Sequence, residues 1–216
     1  MIVTAPNLAQ IPGLIHGFGL RDSIWPAGIT LVKQIHSDIV WDAADLKNSA
    51  RINEPALEGD ALISNLADTT IGIKTADCVP ILLADPETGS IAAVHAGWRG
   101  TAQDILMKTV RDLARRWGVR PENLRAAIGP AIGGCCYEVG PEVAHRLGIT
   151  VTEPVHVDLA RINSQSLLRA GITNIWVSGE CTFCSAGRFF SFRREREQAG
   201  RMLSYIGWQK HDGRAV

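Results

Sequence analysis

The chain has 216 residues, of which 46% are hydrophobic, and this is enough to bury one substantial core but short for two. We therefore predict a single domain over residues 1–216. Lysine plus arginine and aspartate plus glutamate each total 22, so the formal net charge is zero, and no basic stripe suggests a nucleic-acid partner. No secretory leader and no apolar run of roughly 18 residues is visible, so no membrane span is expected. These features predict a cytoplasmic protein that acts on a small molecule, and they leave its oligomeric state unknown.

Short apolar runs rich in valine and isoleucine, each closed by glycine, proline or aspartate, predict most of the strands. In chain order they lie at 31–35, 39–43, 60–64, 70–75, 79–85, 90–96, 124–129 and 172–179. Many strands with few helices predict an α+β fold, or layered α/β sandwich.

The clearest predicted helix follows Gly100. Thr101 is a candidate N-cap, Asp104 resembles the acidic half of a capping box, and Gly118 is placed to end the helix. A second helix is predicted over about 158–169, and a short one begins near Pro141.

Three potential metal ligands or nucleophiles stand at the ends of predicted strands, namely His36, Cys78 and His95. Taken singly, each has an ordinary alternative, because a lone cysteine or histidine is often buried and structural. Taken together, they form a His/Cys/His set that suits Zn²⁺ and leaves a fourth position open for water or substrate. Asp77, beside Cys78, is a candidate acceptor that would orient a neighbouring imidazole. The spacing matches no local zinc-finger motif, so both interpretations stay open.

The turn after His95 also has the features of an anion site. Gly97 and Gly100 allow the backbone to turn sharply into the predicted helix, whose N-terminus would attract an anion such as phosphate. Arg99 would add a bidentate donor there. The alternative is that Arg99 forms only a surface ion pair that anchors the turn.

Five cysteines in a chain without an export signal predict reduced thiols or metal ligands rather than disulfides. Cys181 and Cys184 form a C-x-x-C pair, which occurs in structural zinc sites and in redox pairs, but no second C-x-x-C completes a set of four. We interpret them as two reduced cysteines near a strand end. Cys135 and Cys136 follow a Gly-Gly pair, and the sequence assigns them no role. The remaining histidines show no partner pattern: His16, His145, His156 and His211.

Seven segments, read together, resemble one known family. They are KQIHSD, GDALIS, TADCVPILLAD, AAVHAGWRGT, AIGPAIGGCCYEVG, FFSFRRE and AGRMLSYI, and they span the chain from about Lys33 to Trp208. The family is known variously as polyphenol oxidase or laccase-like protein, purine nucleoside phosphorylase and peptidoglycan-editing factor. The order of so many short motifs makes the resemblance specific.

The resemblance implies a fold related to bacterial cysteine-dependent toxin hydrolases, with zinc held by His36, Cys78 and His95. It implies an enzyme that cleaves purine nucleosides (adenosine, inosine and methylthioadenosine) with phosphate and also deaminates adenosine. Arg21 would contact substrate, because residues 16–21 keep a trace of the family's first motif. The next segment, 22–28, runs almost directly to the first ligand motif, whereas the family has a helix there.

Three other functions compete with this one. Cys78 as nucleophile and His95 as base would make a metal-free hydrolase of amides or esters, as expected for an enzyme that edits peptidoglycan precursors. A copper polyphenol oxidase is disfavoured, since multicopper sites use many histidines in H-x-H pairs and this chain has six histidines and no such pair. The third alternative is that the chain is not an enzyme and binds a metabolite as the partner of another enzyme. Metal content separates the zinc enzyme from the metal-free hydrolase.

Overall fold

The structure is a computed structural model that describes residues 1–47 and 57–209. The strands are β1 Ile2–Val3, β2 Leu14–Gly19, β3 Ile29–Thr30, β4 Val40–Asp42, β5 Ala61–Ser64, β6 Thr70–Thr75, β7 Val79–Asp85, β8 Ser90–Ala96, β9 Arg125–Ile128, β10 Glu138–Val139, β11 Val155–His156, β12 Asn174–Val177 and β13 Met202–Trp208. The helices are α1 Pro6–Ala9, α2 Ala43–Lys47, α3 Trp98–Ala102, α4 Ile105–Trp117, α5 Pro141–Arg146, α6 Leu159–Arg169 and α7 Phe192–Glu195. Short 3₁₀ turns cover Pro121–Asn123 and Arg196–Gln198.

Two large sheets organise the described residues. One has the strand order β1-β2-β13-β6-β3, and the other has the order β12-β9-β7-β8-β5-β4. Their pairings are antiparallel except for β3 with β6, β4 with β5, and β9 with β12, which are parallel. β10 and β11 form a separate antiparallel ribbon.

The core is divided by the six-stranded sheet, because alternate side chains of a strand point to opposite faces. The cluster between the two large sheets includes Leu62, Leu82, Ala93, Ile71, Ile73 and Ile206. The cluster between the six-stranded sheet and the helices includes Ile63, Ile81, Val94, Leu113 and Leu167. The layers are therefore sheet, sheet and helices, which confirms the predicted mixed α/β sandwich. No helix within residues 1–47 and 57–209 has the length and apolar character needed to cross a membrane.

The strands predicted over 70–75, 79–85 and 90–96 coincide with β6, β7 and β8. Both faces of β7 and β8 are covered, so every residue of the two strands is buried, and a continuous apolar run is what such strands require. The predicted strand over 31–35 is wrong: β3 lies earlier, at Ile29–Thr30. Strands β2 and β13 were absent from the prediction because each contains glycine, which weakens a strand pattern.

The helix predicted to begin at Thr101 begins earlier and in two pieces. α3 has Gly97 at its N-cap, and α4 starts only after Asp104, whose φ of 63° interrupts the helix. The predicted capping box is wrong, because both polar side chains bond to α6 instead. The Thr101 hydroxyl accepts from Asn163 Nδ2 at 3.0 Å, and the Asp104 carboxylate accepts from the Ser166 hydroxyl at 3.3 Å.

Candidate active site

His36, Cys78 and His95 lie together at one edge of the six-stranded sheet. The β7–β8 pairing places Pro80 opposite His95, so Cys78, just before β7, reaches the end of β8. His36 joins them from the loop between β3 and β4, and its ring centroid lies 5.0 Å from that of His95. One possible ligand atom from each residue lies within 4.8 Å of the other two. The arrangement can hold a metal ion, with buried His95 on the inner side and exposed His36 on the outer side.

Gly97 makes this approach possible. A Cβ atom at this position would lie 3.1 Å from Cys78 Sγ and 3.2 Å from His36 Cδ2, which is closer than ordinary van der Waals contact. The lack of a side chain at the N-cap of α3 therefore lets two of the three candidate ligands meet beside the backbone.

Replacing Gly97 with alanine is expected to weaken metal binding by roughly tenfold, the lower end of what displaced supporting groups cost at metal sites. Gly140→Ala is the matched control. Gly140 is also an N-cap glycine with φ of −72°, like Gly97, and a Cβ atom there would meet nothing within 4 Å. Competition with a chromogenic chelator measures both affinities. Equal affinities in the two variants would show that the site tolerates the extra methyl group.

Asp60 is the carboxylate that orders the site. It is fully buried just before β5, and one of its oxygens lies 2.7 Å from His95 Nδ1. Its two oxygens also accept the backbone N–H groups of Ile35, His36 and Ser37 at 3.2, 3.0 and 2.6 Å. Asp60 thus fixes the ring of one candidate ligand and the backbone of another, and it leaves His95 Nε2 available to coordinate a metal.

The charges of the site stabilise one another. Burial disfavours the charge on Asp60, but the hydrogen bonds from His95 and Ser37 outweigh it and lower the pKa of this carboxyl to about 2. Burial also disfavours the thiolate of Cys78 and the imidazolium of His95, but the attraction between these two opposite charges outweighs the cost of burial. It lowers the pKa of the Cys78 thiol to about 6 and, with Asp60, raises the pKa of His95 to about 9. Without metal, Cys78 and His95 form a thiolate–imidazolium pair near neutral pH.

The expectation that Asp77 orients an imidazole is wrong. Its carboxylate accepts from the Thr182 hydroxyl at 2.6 Å, the Ser191 hydroxyl at 3.0 Å and the Arg193 backbone N–H at 2.7 Å. Its φ of 87° is unusual for a residue other than glycine and is held by these three bonds. Asp77 therefore ties the segment after β12 to the turn that presents Cys78.

The three candidate ligands line a cavity of about 550 Å³, a volume in the range of small-molecule sites. Its wall also carries four cationic side chains and two aromatic ones: Lys74, Arg193, Arg196, Arg201, Tyr137 and Phe192. The carboxylate that lines the cavity, Asp77, is engaged by the three donors described above. The described wall therefore favours an anionic group beside a flat ring.

Arg99 and Arg21, the substrate contacts expected from the sequence, are not among the described residues that line this cavity. Arg99 is exposed, and its guanidinium lies 4.4 Å from the centroid of the Trp98 ring. Its charge nevertheless acts on Tyr137 in the cavity wall. Arg21 forms an ion pair with Glu195 and donates to the Phe189 carbonyl at 3.2 Å. The roles of both arginines stay predictions.

Sequence reasoning missed the cationic wall and Asp60. Arg193 and Arg201 stand in the FFSFRRE and AGRMLSYI segments, but nothing in the sequence indicates that their charges meet. Of the histidines without a partner pattern, His16 is buried and accepts from the Ala5 N–H at 2.9 Å, whereas His211 lies outside the described residues.

The fold and this site together define a mixed α+β protein with a His/Cys/His group that can hold a metal at the wall of a cationic cavity. Residues 21–209 match the family described as multi-copper polyphenol oxidoreductase laccase, and the chain belongs to this family. The resemblance stated from the sequence is confirmed.

Three relatives are similar to the chain. A protein of Deinococcus radiodurans named purine nucleoside phosphorylase is 44% identical over 164 residues, which cover 72% of this chain and 64% of the relative. A protein from an unknown prokaryotic organism, named adenosine deaminase RL5, is 40% identical over 71% of this chain and 64% of its own length. The matched part thus spans less than two thirds of both proteins. The crystal structure of YlmD from Geobacillus stearothermophilus superposes with a TM-score of 0.83 at 30% identity, covering 95% of this chain and 94% of that one.

Proposed function

We propose that the chain is a zinc-dependent purine nucleoside phosphorylase that also deaminates adenosine, with adenosine, inosine and methylthioadenosine as substrates. The observation that carries the proposal is the convergence of His36, Cys78 and His95 on a cavity whose wall is cationic and aromatic. The names of the relatives from Deinococcus radiodurans and of RL5 support both activities.

The donor set fits zinc. Two imidazoles and one thiolate are the ligand types of catalytic zinc sites that keep an open position, and Asp60 supplies the carboxylate that such histidines usually contact. When bound by His36, Cys78 and His95, zinc would supply Lewis acidity for the reacting group. Two imidazoles and one thiolate also occur in mononuclear copper sites. The multi-copper centre in the family's description would need more histidines than this group has, and zinc is the metal we propose.

The cavity wall accounts for the two substrates of phosphorolysis. Lys74, Arg193, Arg196 and Arg201 bind phosphate and hold it against the ribose, because cationic donors in a concave site stabilise an oxyanion. Arg99 adds positive charge near Tyr137.

Tyr137 and Phe192 offer aromatic faces to the purine ring. Burial and the nearby Cys78 raise the pKa of Tyr137 to about 12, so its hydroxyl remains a hydrogen-bond donor at neutral pH.

Arg201→Ala is expected to raise the Michaelis constant for phosphate by about ten- to a hundredfold. The reason is that a lost hydrogen bond to a charged group costs on the order of 1.5–3 kcal/mol. The Michaelis constant for nucleoside should rise by less. Arg99→Ala should act in the same direction but less, since Arg99 is exposed beside Trp98. Phosphate titrations of inosine cleavage measure both constants.

The control for this prediction is Arg115→Ala. Arg115 is an exposed arginine of α4 that pairs with Asp112, and its removal should leave both constants unchanged. An unaltered phosphate dependence in Arg201→Ala and Arg99→Ala would remove the anion site from this cavity. Metal-replete protein that releases neither purine base nor ammonia from adenosine would reject the function itself.

The thiolate–imidazolium pair favours a second candidate, a Cys/His hydrolase that edits peptidoglycan precursors. The two functions respond oppositely to metal removal: a chelator stops a zinc phosphorylase but frees Cys78 to act as a nucleophile. Hydrolysis would increase as the pH rises through about 6, where the thiolate forms, and decrease above about 9, where the imidazolium is lost. Amide hydrolysis by chelated protein with this pH profile would favour the second candidate.

A further inference from the structure

The structure brings together two pairs of cysteines that lie far apart in the sequence. Cys135 and Cys136 lie in the turn after β9, and Cys181 and Cys184 lie in the turn after β12. Because β9 and β12 are parallel neighbours, the turns that follow them meet at the same edge of the sheet. An isolated bridge pairs Ala131 with Cys181 and links the two turns directly.

The sulfur atoms form a compact group. All four Sγ atoms lie within 4.8 Å of one another, and Cys184 Sγ lies 3.8 Å from Cys135 Sγ and 3.4 Å from Cys136 Sγ. Zn–S bonds of about 2.3 Å in a tetrahedron would place the sulfur atoms roughly 3.8 Å apart. Each cysteine lies in the described part of the chain and is a free thiol. The spacing thus suits four thiolates around one ion.

The backbone around the sulfurs is arranged as it would be for a metal site. The Gly133 N–H donates to Cys181 Sγ at 3.3 Å, and such bonds stabilise negative charge on sulfur. A Cβ atom on Gly133 would lie 3.3 Å from Cys135 Sγ and 3.6 Å from Cys181 Sγ, so glycine leaves room for the cluster. The Gly133 carbonyl also accepts the Cys136 N–H at 2.9 Å and closes the turn.

We propose that Cys135, Cys136, Cys181 and Cys184 form a second metal site, a tetrathiolate centre that binds Zn²⁺ for structural purposes. A closed set of four sulfur ligands is typical of structural zinc and leaves no position open for substrate. Binding converts four thiols into thiolates and releases four protons to solvent, while zinc keeps its charge of 2+. The C-x-x-C pair, which lacked partners in the sequence, obtains them from the Cys-Cys pair.

The second site holds part of the active-site wall. Ile132 and Tyr137, on either side of the Cys-Cys pair, line the cavity. On the other turn, Thr182 follows Cys181 directly and donates to Asp77, next to Cys78. A metal that joins the two turns therefore fixes the distance between the cavity wall and the residue that presents Cys78.

Metal analysis of the full chain carrying Cys78→Ala tests this inference independently of the proposed function, because that variant removes a ligand only from the His/Cys/His group. We expect it to retain one zinc per chain after dialysis. Its Co²⁺ derivative should show the intense sulfur-to-metal charge-transfer absorption of several thiolates. Adding Cys184→Ser should remove both signals.

A second measurement uses the unmodified chain, in case the double variant does not fold. Zinc should slow the alkylation of all four cysteines at least tenfold, as read for each peptide by mass spectrometry. Three results would overturn the proposal: Cys78→Ala protein without zinc, a disulfide between any two of the four cysteines in the freshly purified chain, or alkylation at the same rate with and without zinc.

Discussion

Cys78→Ala is expected to abolish nucleoside phosphorolysis while leaving the fold largely intact. Removal of groups that merely support metal ligands costs about ten- to a hundredfold, so loss of a ligand should reduce turnover by more than about a hundredfold. The fold should survive because a small, half-buried thiol contributes little apolar area. Initial rates and zinc content, measured with thermal unfolding of the same samples, check both parts.

Cys181→Ala and Cys184→Ala provide the comparison within the same chain. Each removes a thiol outside the His/Cys/His group, so the reacting groups stay in place. Any loss of turnover, through the cavity wall that the two cysteine turns support, should be much smaller than in Cys78→Ala. If instead these variants lost activity and Cys78→Ala stayed active, the catalytic site would belong to the four-cysteine cluster and not to the cavity beside β8.

Asp60→Asn is expected to lower zinc affinity about ten- to a hundredfold, although Asp60 is not itself a proposed ligand. The amide would turn one oxygen into an N–H donor, and both oxygens now accept: one from His36 and His95, the other from Ile35 and Ser37. The new amide N–H groups would face N–H groups that now donate to the carboxylate, so these buried donors would lose their acceptor. Asp38→Asn is the control, since this nearby carboxylate pairs with Lys108 and is partly exposed.

The role of Asp60 can also be tested without metal, by measuring how the stability of the metal-free protein depends on pH. The lowered pKa of Asp60 means that its contribution is complete above its ordinary pKa of 3.8 and is lost as the pH falls towards about 2. The raised pKa of His95 means that its contribution is complete below 6.5 and is lost as the pH rises through about 9. Urea titrations should therefore show that the free energy of unfolding differs most between wild type and Asp60→Asn at about pH 4 to 6.5.

A difference in the free energy of unfolding that does not decrease below about pH 4 and above about pH 6.5, or one that Asp38→Asn reproduces, would contradict the role of Asp60. In that case, packing alone would hold the His95 ring, and the carboxylate would be dispensable for the site.

The sequence was informative where local pattern and burial agree. β6, β7 and β8 were predicted from apolar runs, and the three potential ligands were found because each stands at a strand end or in the loop beside one. Asp60 was missed because its role depends on complete burial, which a single aspartate in a sequence does not reveal. The cationic wall was missed for a related reason, since residues near 74 and 201 meet only through the pairing of β6 with β13.

The four-cysteine cluster illustrates the same limit at longer range. Its two halves are separated by the whole segment from β10 to β12, and only the parallel pairing of β9 with β12 brings them together. No periodicity within either half encodes that contact. The sequence could show the C-x-x-C pair but not the sulfur atoms that complete it.

The link between β6 and β7 is three residues long, and it carries the chain from one large sheet to the other. Lys74 and Thr75 therefore border the cavity from the first sheet, whereas Cys78 and His95 border it from the second. For enzyme engineering this separates two tasks. Under the proposed function, substitutions at Lys74 and Arg201 would change which anion is bound, whereas Cys78 and His95, held by β7 and β8 of the opposite sheet, would keep their positions.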